Sequence, residues 1–135
     1  MKTKATLELA DIKAIAAAAE AEALKNQWIV TIAIVDDGGH LLWLQRLDGA
    51  APISAHIAPA KANTAALGRR ESRVYEELIN GGRFSFLSAP DLKGLLEGGV
   101  PIMKDGQCIG AVGVSGVKSA EDAQIARAGI AALGL

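Results

Sequence analysis

Residues Gly98 to Gly116 read GGVPIMKDGQCIGAVGVSG, and the reading of this stretch decides the fold. Val100-Pro101-Ile102-Met103 is one short apolar run, and Gln107 to Ser115 is a longer one. Between them Lys104-Asp105-Gly106 supplies an Asp-Gly pair, which tolerates the positive φ of a tight hairpin turn. Pro101 has no N–H to give a ladder, so its strand belongs at an edge. Gly110, Gly113 and Gly116 recur at every third residue. Each weakens a strand by roughly 0.5–1 kcal/mol relative to Ala, so three together need a cause. Either a ligand or another backbone comes close to this strand, or alanine-rich helices pack tightly across it.

Working outward, the same pattern recurs upstream. Ile29 to Val35 is an unbroken β-branched and apolar run suited to a central strand. Asp36-Asp37-Gly38-Gly39 turns the chain, and Leu41 to Leu47 returns it as a second hairpin. Helical spacing surrounds the hairpins. Thr6 is placed to cap a first helix reaching about Asn26, with Ile12, Ile15, Ala16, Ala19 and Ala23 on one face. A second helix is expected from Pro52 to Leu67, where Pro59 would kink it unless it starts later. A third runs over 69–80. Residues 83–96, with Phe84, Phe86 and Pro90, are the least regular, and those phenylalanines either plug the core or wall a pocket. Ser119, with Asp122 three residues on, is placed to cap a last helix ending near Leu133.

The predicted architecture is α+β, with helices layered on both faces of a mainly antiparallel sheet and a fifth strand conceivable over 94–98. At 135 residues the chain is expected to form one domain, 1–135. Half its residues are apolar but only 4% are aromatic, so the core must be built from Ala, Ile, Leu and Val. Lys and Arg number 14 against 15 Asp and Glu; no basic surplus points to nucleic acid. The single Cys108 excludes an internal disulfide and a cysteine zinc cluster. No run approaches membrane-spanning length and no export signal is evident, so a cytoplasmic location is expected.

Few side chains suit chemistry. Cys108 lies within a strand, where a buried thiol stays protonated. Ser115 lacks a nucleophile-elbow context. Arg46 and Asp48 stand at a strand end, either as a solvated terminus or as an anchor for an anionic ligand. Lys61 lies beside apolar positions of the second helix, either sending its ammonium to water or contacting a ligand. His40 is expected at a hairpin tip and His56 in the first turn of the second helix.

The blocks Ala33–Leu41 (AIVDDGGHL), Arg46–Ala50 (RLDGA), Ile57–Ala65 (IAPAKANTA), Gly98–Ile102, Ile109–Gly116 and Asp122–Ile130 (DAQIARAGI), in this order, resemble the GlcG/HbpS family and the C-terminal part of PduO-type proteins. The resemblance implies a profilin-like fold, α/β/α layers around a five-stranded antiparallel sheet, assembled as a homo-oligomer. It also implies a small-ligand-binding protein, haem being the favoured ligand and cofactor. Arg46, Asp48, Lys61, Gly99, Pro101 and Ser115 fall on recurring family positions and are the expected ligand-binding residues. Among the side chains available, His56 is the best iron ligand, because imidazole suits iron. Two other readings stand beside this one. The first is a cofactor-free enzyme acting on an organic acid by acid–base chemistry, with Lys61 or Asp48 moving a proton. The second is a non-catalytic, oligomeric accessory protein.

Overall fold

The computed structural model describes residues 1–135. Four helices, α1 (Leu9–Lys25), α2 (Ser54–Gly68), α3 (Ser72–Asn80) and α4 (Ser119–Ala131), enclose four strands, β1 (Thr31–Asp36), β2 (Leu41–Arg46), β3 (Gly99–Lys104) and β4 (Gln107–Ser115). A 3-10 turn occupies Phe84–Ser88. The strands pair β2-β1-β4-β3, antiparallel throughout. Each hairpin therefore contributes one inner and one outer strand. Pro101 sits on the outer strand β3, where its missing N–H costs no ladder bond. Asp105 and Gly106 take φ of 51° and 75°, the left-handed pair that a two-residue hairpin turn requires.

The sheet has four strands, not five. Residues 94–98 form no strand: only the Gly98 carbonyl reaches the ladder, accepting from the Val114 N–H at 3.1 Å, and a side chain at Gly94 would collide with the backbone of Ala60. One sheet face, bearing Val30, Ile32, Ile34, Val112 and Val114, packs on Ile12, Ile15 and Ala19 of α1 and on Ile125 and Ala126 of α4. The other, bearing Ala33, Val35 and Ala111, packs on Ala58, Ala62, Ala65 and Ala66 of α2. That second interface is made almost wholly of methyl groups, so α2 lies very close to the sheet. A methyl at Gly113 would overlap the Ala58 carbonyl. Close helix packing thus accounts for this strand glycine.

Helix ends differ from the sequence expectation by up to three residues. Glu8 rather than Thr6 caps α1, its N–H donating to the Asp11 carboxylate at 2.8 Å. The second helix starts later than Pro52, at Ser54, and Pro59 still lies inside it. Lys118 rather than Ser119 caps α4, its N–H donating to Glu121 at 3.2 Å. Asp122 is thereby released from capping and turns inward. Phe86 packs edge-on against Tyr75 with centroids 5.5 Å apart, whereas Phe84 stays exposed.

Candidate functional site

Cross-strand register places Arg46 opposite Thr31 and Thr31 opposite Ser115. These three residues form a polar row across one end of the sheet, on the face that carries α2. The Ser54 hydroxyl donates to the Ala51 carbonyl at 2.5 Å, which leaves its oxygen to accept from Thr31 at 2.7 Å. This buried pair fixes the start of α2 to β1. Arg46 folds back, its Nε donating to the Ala50 carbonyl at 3.0 Å, and so braces the turn that leads into α2. Asp48 lies exposed in that turn and forms no ion pair with Arg46.

Lys61 does not send its ammonium to water. Its side chain is 4% exposed, and Nζ donates to Asp122 Oδ2 at 2.9 Å and to the Val114 carbonyl at 3.0 Å. The lysine passes Gly98 at the end of the sheet, where any side chain would strike Nζ, and meets α4 of the opposite layer. A buried ion pair therefore ties the two helical layers together. Asp122 Oδ1 also accepts from the Val117 N–H at 3.2 Å. Burial pushes the Asp122 carboxyl above its ordinary value, outweighing the neighbouring Lys61 ammonium, which pulls it down.

The remaining expected residues are distributed on the same side of the sheet. Ser115 is 7% exposed, and the space beside Gly99 is filled by the Lys61 carbonyl and the Ser72 hydroxyl. Pro101 is half-buried on β3. The structure thus gathers Arg46, Lys61, Gly99, Pro101 and Ser115 around α2, but they line no cavity. His56 stands exposed on the outer side of α2's first turn. His40, at the hairpin tip, is bound through Nδ1 to Asp36 at 3.1 Å. Burial of Asp36 acts against its charge, but N–H donation from His40 and Gly38 prevails and holds its carboxyl below the ordinary range. No group of three or more His, Cys, Asp or Glu is placed to hold a metal ion, and no helix is long and apolar enough to cross a membrane.

What lies open is an apolar strip along β2, from its hairpin-tip end to Arg46 at the level of the start of α2. Helix α2 covers β1 and β4, whereas the outer strand β2 leaves Leu41 (53% exposed) and Leu44 (46%) bare. Leu44 pairs with Ala33, so it shares a sheet face with Arg46. Ile53, 60% exposed, extends the apolar surface at the beginning of α2, one turn before His56. The sequence offered no sign of Thr31, Ser54 or Asp122 as members of this region: each acts through a partner at least 23 residues away.

Comparison with known proteins places these features among relatives. A family model described as haem-degrading protein HbpS-like matches residues 7–131. Protein GlcG of Escherichia coli K12 is 59% identical over 115 residues, covering 85% of each chain. The crystal structure of HbpS superposes with a TM-score of 0.89 at 32% identity, covering 100% of this chain and 95% of that one. A crystal structure of a PduOC–haem complex superposes with a TM-score of 0.86 at 27% identity, covering 95% of each.

Proposed function

The chain belongs to the HbpS-like family, and from that membership we propose that it binds haem on the open shelf formed by β2 and the start of α2. The observation that carries the reading is the bare apolar strip on β2, which shares its sheet face with Arg46, while His56 is exposed in the first turn of α2. Haem is a flat apolar ring with two carboxylates, so it needs apolar contact, a cationic partner and an iron ligand. Leu41, Leu44 and Ile53 supply the first, Arg46 the second and His56 the third. When bound, haem supplies an iron centre able to take a further ligand. The haem complex of a 27%-identical structural neighbour supports the assignment.

Lys61 and Asp122 enter this reading as positioning residues, because they hold α2 against the sheet. A half-open hollow of about 340 Å³ beside α3 lies elsewhere and is at the small end of ligand-sized sites. A porphyrin would therefore lie on the shelf, with a second copy of the chain as its cover. Titrating the protein with haemin should give a saturable Soret shift. His56→Ala should abolish the ligated spectrum, and Arg46→Ala should weaken binding about tenfold, the loss of one charge-assisted contact at an exposed site. Non-saturable uptake refutes haem binding; an unchanged spectrum in the His56 variant removes that residue as the axial ligand.

A further inference from the structure

We propose that the cavity between α3 and residues 87–96 is a binding site for a small zwitterion with an apolar body, the chemistry of an apolar α-amino acid. The cavity is about 340 Å³, within the roughly 300–1,000 Å³ of small-ligand sites. Ile79, Leu87, Leu95 and Leu96 form its apolar walls. Leu87 is 65% exposed and Leu96 44%, so two large side chains stand wet around a hollow that a ligand would dry.

Its three polar residues are of complementary kinds. Glu76 and Asn80 stand one turn apart and share a face of α3 with Ile79, while Lys93 comes from the opposite wall. The other charges of this helix and its N-cap are already engaged. Arg73 pairs with Glu77 at 2.7 Å, and Glu71 pairs with Arg127. Glu76 and Lys93 take part in no ion pair, and both line the hollow. A monocarboxylate there would satisfy Lys93 but meet the like charge of Glu76. A monoamine would do the reverse. An ammonium and a carboxylate on one small molecule leave neither charge opposed, and Asn80 can donate to the carboxylate. None of these residues belongs to the proposed haem shelf, so the two assignments stand or fall separately.

Calorimetric titration of the whole protein with L-leucine tests the assignment. The comparators are 4-methylpentanoate, which is leucine without its ammonium, 3-methylbutylamine, which lacks the carboxylate, and glycine, which lacks the apolar body. Leucine should bind saturably, and each comparator at least about tenfold more weakly. Glu76→Gln should erase the preference over 4-methylpentanoate, Lys93→Met that over 3-methylbutylamine, and His56→Ala should change neither. No saturable heat up to about 10 mM leucine, or comparators binding within about threefold of it, overturns the proposal. So do variants that keep the parent's preferences.

Discussion

Lys61→Met removes one ammonium from the interior while keeping most of the aliphatic stem. The ammonium makes two bonds there, at 2.9 Å to Asp122 and 3.0 Å to the Val114 carbonyl, and its partner carboxylate is 2% exposed. Hydrogen bonds to charged groups contribute about 1.5–3 kcal/mol each. Breaking a buried pair costs about 3–5 kcal/mol, because the remaining charge is left uncompensated. Both routes give a large part of the 5–15 kcal/mol typical of a domain's whole stability. The sign of the pH dependence follows from the survivor. Burial already raises the Asp122 carboxyl with Lys61 present, and removing the cation raises it further. The folded variant then favours the protonated acid, while the unfolded chain ionises at the ordinary value. The deficit is therefore small below that value and grows as pH rises through the raised one. Urea unfolding followed by tryptophan fluorescence should show a fall in midpoint at unchanged slope near pH 7 and a smaller fall near pH 4. Adding Asp122→Asn should restore about 2 kcal/mol, since the stranded charge is gone. A deficit below about 1 kcal/mol near pH 7, or one equal at both pH values, refutes the reasoning.

Two further perturbations probe the α2 interface. Gly113→Ala would press a methyl into the Ala58 carbonyl and the Ala62 amide, which are backbone groups unable to swing away. A cost of about 3 kcal/mol is expected, seen as a fall of about 10 °C in Tm; a fall under about 3 °C would show that α2 has room to retreat. Cys108 is 6% exposed, with its thiol against the Gly110 carbonyl at 3.3 Å. It should react with a thiol reagent at least about 100-fold more slowly in the folded protein than in urea, and equal rates would contradict its burial.

Local patterns were readable where local forces decide. The Asp105-Gly106 turn, the edge position of Pro101 and the central strand at Thr31–Asp36 follow from turn chemistry, a missing donor and β-branched composition. Helix ends were less legible because capping preferences are small energies that neighbours override. Ser119-Ala120-Glu121-Asp122 offers two acids near the cap, and the backbone uses Glu121. Asp122 then pairs with a lysine 61 positions upstream, a relation with no local signature. Lys61 was hard to read for the same reason: spacing put it beside apolar residues but could not reveal a buried carboxylate in another layer. The absent fifth strand is a further case, since Gly94 is pressed against the Ala60 backbone and Gly98 against Lys61, contacts with α2 that have no local signature.

The composition that makes this fold also dictates where ligands can go. An interior of alanine, valine and isoleucine lets helices approach the sheet until backbone meets backbone, as at Gly113 and Gly99. Such an interior has no room for a ligand, and the space beside Gly99, one of the expected ligand-binding positions, is filled by Lys61 and Ser72. Large apolar side chains that cannot be accommodated inside are displaced outward: Leu41 and Leu44 to the outer strand, Leu87 and Leu96 to the irregular segment. These are the places where a second molecule gains most by excluding water, at about 25 cal/mol per Å² of apolar surface covered. They are also the places where Arg46 on one side, and Glu76 and Lys93 on the other, are available to orient it. Dense packing at the centre and recognition at the rim are thus two consequences of the same choice of small core residues.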